Sequence, residues 1–585
     1  MYFDSHFHML TKHLLTGNTD SRALSKLIAP PSLSGDLIDW LSGDAFQSQS
    51  APDQIQNSNM IGGIVAILAP EFAYVSGLEE KYWEKLGVDA KYFGPIARRE
   101  TTYLKEFIKE LRVYQDLKNT SYTNFTFLNR NTTAAEKKRI IGSLESLSDL
   151  SHSFLKGLEN PTKTERFFAY SMEGGHNLSN VLISQHTLLS KAPQAFLKKI
   201  QDGAKVEVEG AAEFDFSTID LFSLNICHLS YIPEQHLGVH AQGVTKTAQK
   251  VFGSPLFYPS VGKGLSELGC KVVRHALTHE KRPTLIDTKH MSVYTRLEFY
   301  RYREQLIYEQ RRETGTSRVE KLPILNSHTG FTFRSLSQFL ADEPYKLKEK
   351  NNNGQRQTWL ESERLCVGKS DNLLNRNLYS NPWTINLFDE EIAETMASGG
   401  MIGLSLDQRI LGAANIALDG TSLLGKYAEP ELVSPEEGQV LFREKRLPAV
   451  TESLESTERL TPNKPQRHIT LLALHIVHAV RTGYARLNWT DDTSPWDHLC
   501  IGSDYDGLIN PINGYGTVKD VAKMREELLQ YLPIADKICA TYPDTKALRY
   551  TPTGTIDSTH LEDVIDKFMF RNGLKLFVRF LQNWP

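Results

Sequence analysis

Cysteine is scarce and scattered in this chain: five residues in 585, at positions 227, 270, 366, 500 and 539, with no CxxC pair. An odd, widely spaced set excludes a disulfide framework and a thiolate zinc site, and it suits a reducing compartment. Long apolar runs are missing too, and no stretch reaches the length needed to cross a bilayer. The first apolar segment begins at Tyr2, which leaves no room for a secretory leader and makes the cytoplasm the expected location. Nor is there a surplus of charge. With 66 basic and 70 acidic residues, net −4, the chain offers no electrostatic footprint for nucleic acid or an anionic membrane. No internal repeat of fixed period appears. What is present, 40% hydrophobic and 23% charged residues, is ordinary globular composition with ample core.

The first feature with chemistry in it is Tyr2-Phe3-Asp4-Ser5-His6-Phe7-His8. Alternate side chains of a strand share a face, so His6 and His8 can grip one ion together while Phe7 packs behind them. Short apolar or β-branched runs then recur with helical stretches between them. They fall at Met1–His8, Ile61–Leu68, Phe167–Glu173, Leu221–His228, Thr284–His290, Ile324–His328, Met401–Leu406 and Leu499–Asp504. Helix-forming segments include 296–312, 388–398 and 469–481. Eight βα units predict an α/β fold, a (β/α)8 barrel of the TIM type. Six of the eight runs end in a metal-capable residue: His8, Glu173, His228, His290, His328 and Asp504. Barrel closure brings such ends to one face, so six of them favour a metal site over eighteen incidental histidines.

A plain barrel needs about 250 residues. The expectation is therefore one decorated domain over 1–585, with large, largely helical insertions at 70–165, 231–282, 330–380, 407–467 and 507–560. The polar segments Gln47–Asn59 and Asn351–Gln357 read as surface linkers.

Taken in order, FDSHFH at 3–8, MEGGHNL at 172–178, NICHLS at 225–230, LIDTKHMS at 285–292, ILNSHTG at 324–330, NRNL at 375–378, GGMIGLSL at 399–406 and IGSDYDG at 501–507 are similar to another set. They resemble the membrane (renal) dipeptidase family of zinc metallopeptidases, within the amidohydrolase superfamily. The resemblance implies a barrel of the metal-dependent hydrolase kind holding two divalent ions, zinc by preference. Glu173 would bridge them, His6 and His8 would complete one shell, and His290 and His328 the other. It further implies Asp504 as the proton carrier, with Asp506 as fallback, and His228 as the residue that stabilises the oxyanion. Arg376 would clamp a substrate carboxylate, with Arg334 competing for that place. The family's first strand carries HxD where this chain has HxH, which raises the charge of the site by one and bears on metal preference.

The activity so implied is cleavage of a dipeptide amide by a metal-bridging hydroxide. The alternatives are an amidohydrolase acting on another small amide or lactone-type substrate, and a non-catalytic scaffold. The partner is a small-molecule or dipeptide substrate, and the sequence is compatible with a homodimer. His176 reads as structural, His475 and His478 as packing residues, and Lys289, next to His290 in a strand, as facing outward.

Overall fold

The computed structural model describes residues 1–18, 24–29, 46–77, 83, 85, 87–117, 122–149, 164–183, 192–232, 236–241, 261–342, 345–352, 355–369, 378–413, 428, 430–442, 464–489, 494–541 and 558–584. Eight strands form the centre: β1 (Tyr2–Phe7), β2 (Met60–Ile67), β3 (Arg166–Met172), β4 (Leu221–Asn225), β5 (Leu285–Asp287), β6 (Leu325–Thr329), β7 (Met401–Leu404) and β8 (Leu499–Ile501). Each pairs in parallel with its neighbours in chain order, and β8 returns to β1 through Asp4 opposite Ile501. The sheet closes on itself as a (β/α)8 barrel. All eight segments read from the sequence are present.

The strands are covered on both faces, which is why they read as continuous apolar runs. All eight residues of β2 are buried. Inside the barrel the packing needs small residues. Ser5 Oγ donates to the carbonyls of Ser327 and Ile501, and a Cβ on Gly403 would fall 2.0 Å from the Ser327 oxygen. Among the surrounding helices are α1 (Tyr103–Leu117), α2 (Val293–Thr314), α3 (Asp389–Ala397), α4 (Lys464–Arg486) and α5 (Asn572–Leu581). α2 begins at Ser292, whose hydroxyl accepts from Thr295 N, and stops at Gly315 in the left-handed region.

The two ends of the barrel are treated differently. α5 packs across the strand N-termini, where Phe3 of β1 and Phe222 of β4 meet Phe577, and Phe222 also meets Phe580 and Trp584. Asn572 anchors this helix by donating to the carbonyls of Trp496 and Leu499 at the start of β8. Polar chemistry is left to the opposite, C-terminal end.

Both linker readings are overturned. Gln47–Asn59 contains the helix Pro52–Gln56 and packs inward, with Ser48, Gln49, Ser50 and Ile55 all buried. Its polar residues are there to make buried hydrogen bonds. The segment around 351–357 belongs to a hairpin in which Tyr345–Asn352 pairs with Gln355–Ser362, and Glu431–Val433 adds a third antiparallel strand. Among the described residues no helix is long and apolar enough to cross a membrane.

Candidate metal centre

At the C-terminal mouth the carboxylate of Glu173, 1% exposed, lies at the centre of a ring of imidazoles. Its Oε1 is 3.1 Å from His290 Nε2, 3.3 Å from His6 Nε2, 3.5 Å from His228 Nε2 and 4.0 Å from His328 Nε2. Its Oε2 is 3.2 Å from His8 Nε2. Asp504 Oδ1 faces the same side, 3.8 Å from His6 Nε2 and 3.6 Å from His8 Nε2. The structure thus brings together His6, His8, Glu173, His228, His290, His328 and Asp504. Arg376 lies outside the described residues.

Local folding explains how each side chain arrives. Glu173 stands just past β3, where Gly174 takes φ +89°, a conformation L side chains rarely adopt. Asn177 then staples the loop, donating to the carbonyls of Glu173 and Gly174 and accepting from Ala69 N. His290 and Asp504 also sit beyond their strands, with φ of +68° and +64°. Non-glycine residues in that region cost roughly 1 kcal/mol or more each and collect at functional sites.

Among the described residues two of the facing atoms, His6 Nε2 and Glu173 Oε2, are buried with no hydrogen-bond partner, and so are the far ring nitrogens His8 Nδ1 and His290 Nδ1. His290 Nε2 and His328 Nε2 lie 3.1 Å apart. Ligands held about 2.0–2.1 Å from a tetrahedral ion lie about 3.3 Å from one another. In each of three sets (His6, His8 and Glu173; Glu173, His290 and His328; His6, His328 and Asp504) the ligand atoms lie within 4.8 Å of one another, close enough to share an ion. Ser327 Oγ contacts His6 Nδ1 at 3.1 Å and His328 Nδ1 at 2.9 Å. One hydroxyl oxygen can accept from both rings, which leaves both Nε2 lone pairs free toward the centre.

The electrostatics agree. Burial would push the Glu173 carboxyl up, but His6, His228 and His8 outweigh it and hold it well below its usual range. Burial, followed by the neighbouring His228, pulls His290 down to about 3, and burial with His6 pulls His328 well below normal. Both rings are therefore neutral and can donate lone pairs. His8 goes the other way: burial opposes its charge, yet Glu173 and Asp504 raise it to about 10.

Glu71 is a residue that the sequence reading missed. It follows β2 by four residues, and its carboxylate is buried. Oε1 lies 3.0 Å from His228 Nδ1 and accepts from Leu229 N, while Oε2 accepts from Ser230 Oγ. Burial would lower His228, but Glu173 and Glu71 together raise it. Its sequence signal is an acid in the short loop that follows a strand ending on no polar residue.

The remaining candidates sort by their partners. Asp506 is 1% exposed and spends its carboxylate on Gln49 N, Ser50 N and Ser50 Oγ, so it holds the 47–59 segment. The charges acting on Arg334 are Glu363 and Asp342, neither of which belongs to the cluster. His176 bonds Ala69 O, and His475 accepts from Phe331 N. His478 lies 2.9 Å from Asp389 Oδ1. Strand geometry does not govern the direction of Lys289. β5 ends at Asp287, and Met291 N closes a turn onto Thr288 O, so strand alternation no longer applies. Lys289 is 3% exposed, and burial lowers its ammonium to about 8.

Fold and site together define a (β/α)8 barrel with a histidine-ringed carboxylate, suited to divalent ions, at its C-terminal mouth. No protein-family model and no curated protein matches the chain. Solved structures similar to it include dipeptidase AC, described as a metallopeptidase, at 12% identity over 99% of this chain and 97% of that one, with a TM-score of 0.42. A metallopeptidase from Rhodobacter sphaeroides, liganded with a phosphinate mimic of the dipeptide L-Ala-D-Ala, shows 12% identity over 98% and 97%, TM-score 0.42. The probable dipeptidase PvdM from Pseudomonas aeruginosa shows 13% identity over 100% and 96%, TM-score 0.37.

Proposed function

We propose that this protein is a metal-dependent hydrolase whose substrate is a dipeptide-like amide. The observation that carries the reading is the Glu173 carboxylate, faced by five imidazole nitrogens within 3.1–4.0 Å, of which His6 Nε2 is buried with no hydrogen-bond partner among the described residues. His6, His8 and Glu173 would hold one divalent ion, and Glu173, His290 and His328 a second. Zinc suits the nitrogen-rich set. Bound there, such ions supply Lewis acidity toward a carbonyl and lower the pKa of water.

The chain's own residues do the rest. Asp504, with a side chain 16% exposed at the mouth, is placed to take a proton from the attacking water and hand it to the leaving amine. His228 is held by Glu71 at Nδ1 and points Nε2 at the centre, so as an imidazolium it can donate to a developing oxyanion. The dipeptide part of the reading, with Arg376 as carboxylate clamp, rests on the sequence resemblance. HxH in place of HxD keeps a second reading in view, another small amide or lactone-type substrate.

A panel of dipeptides assayed with zinc-loaded protein tests the substrate, and turnover abolished by chelation and restored by metal is the expected result. Hydrolysis unaffected by thorough chelation would contradict the metal reading. Metal-dependent hydrolysis of other amides alone would retain the hydrolase and remove the dipeptide.

A further inference from the structure

At the end of the barrel away from the metal centre, the tail after α5 meets the approaches to β5 and β6 around a cavity of about 300 Å³. Pro283 stands just before β5 and Leu322 just before β6, and with Leu277 and Trp584 they give the cavity an apolar floor. The wall is fixed. Asn583 and Trp584 take φ of +64° and +58°, a region that costs residues other than glycine. Trp584 N donates to Arg579 O at 2.7 Å and its indole Nε1 to Pro283 O at 3.3 Å, which holds the ring in place, 2% exposed. Arg130 Nη1 ties the same two segments together, donating to Pro283 O at 2.9 Å and to Asn583 Oδ1 at 3.4 Å.

The polar lining is one-sided. Arg318 spends Nη1 on Glu280 O at 2.6 Å and makes no other side-chain hydrogen bond or ion pair among the described residues. The Lys321 ammonium and the Gln582 amide line the cavity and make none. His279 has nothing to spare, since Nε2 meets Asp202 Oδ1 at 2.9 Å and Nδ1 accepts from Arg282 N at 3.0 Å. No carboxylate lines the cavity. The neighbouring acids are already engaged: Asp220 by Arg130, Asp202 by Lys198 as well as His279, and Glu320 by Arg311. Two cations without a counter-ion thus stand beside an apolar floor.

We propose that this cavity is a second ligand site, one that takes a small organic anion. An apolar ring or short chain would rest on Leu277, Leu322 and Trp584, and a carboxylate or phosphate head would meet Arg318 and Lys321. The volume is at the lower end of small-molecule sites, room for one ring and its head group. Charge-assisted hydrogen bonds from a guanidinium and an ammonium suit either head. The site is separate from the metal centre and does not depend on the reaction proposed there.

Calorimetry with benzoate, phenyl phosphate and neutral benzyl alcohol tests it, on wild type and on the double variant Arg318→Met with Lys321→Met. Both replaced residues are exposed, so the variant should fold, and circular dichroism checks that it does. At least one of the two anions should bind wild type saturably, and which of them binds more tightly identifies the head group. The double variant should weaken that binding about tenfold or more, and benzyl alcohol should bind neither protein measurably. Chelated and metal-loaded wild type should bind the anion alike, because the metal centre takes no part. An affinity unchanged in the folded double variant, benzyl alcohol binding as tightly as benzoate, or binding that disappears on chelation overturns the assignment. So does a wild type that binds neither anion at millimolar concentration.

Discussion

Two buried charged clusters lie close together in this barrel, and they are built on opposite principles. Around Arg296, 1% exposed, every donor is spent. Nε and Nη2 reach the two oxygens of Glu391, Nη1 reaches the carbonyls of Met291 and Thr384, and Nη2 also reaches those of Thr384 and Asn386. Glu391 in turn accepts from Phe388 N. Around Glu173, among the described residues, four polar atoms of the cluster are buried without partners. A chain able to satisfy a buried charge from its own groups does so where the purpose is to join α2 and α3 to the turn after β5. On the proposed reading, a cation from outside completes the mouth cluster. Perturbed, unsatisfied groups in a cleft mark function more often than stability.

The comparison can be broken at either cluster. Arg296→Met strands a buried carboxylate and should cost about 3–5 kcal/mol in denaturant unfolding, with metal content per folded molecule unchanged. Replacing Glu391 as well, by Met, should recover much of that loss, since an apolar pair often substitutes well for a buried ion pair. A single mutant as stable as wild type would show that the satisfied cluster does not hold the fold. At the mouth, Asp504→Asn should lower kcat roughly 10²-fold or more with metal retained, and near-normal kcat would remove it as proton carrier.

The smallest expected effect is at Glu71. Glu71→Gln keeps the shape but removes the charge that helps keep His228 protonated, and about a tenfold fall in activity is expected for such a supporting carboxylate. Its pH dependence gives the sharper readout. Glu71 raises the His228 pKa, so without it the ring deprotonates at lower pH and the alkaline limb of the rate profile should move down. An unmoved limb would mean that Glu71 only packs.

Much of the architecture was legible because buried parallel strands carry their own signature, as Gly63 to Ile67 does. The cluster was legible because its members stand at strand ends. What escaped is what leaves strand geometry. The sequence reading ran the strands on to His8, His228, His290 and Asp504, whereas the strands stop at Phe7, Asn225, Asp287 and Ile501. Lys289 lies in the turn in which His290 takes positive φ, beyond the reach of strand alternation. Polarity misled at 47–59, because Gln49 and Ser50 are polar in order to hold Asp506. Glu71 acts through a histidine more than 150 residues away in sequence, and no local pattern announces that.

The central claim, that Glu173 is the shared bridge of a metal centre, is tested most directly by elemental analysis of purified wild type beside Glu173→Gln. A neutral amide cannot bridge two dications as a carboxylate can. Two equivalents of divalent metal in wild type, and loss of both together in the mutant, is the predicted result. A folded mutant that keeps two full equivalents, or a wild type that takes up none in zinc-supplemented buffer, would contradict it.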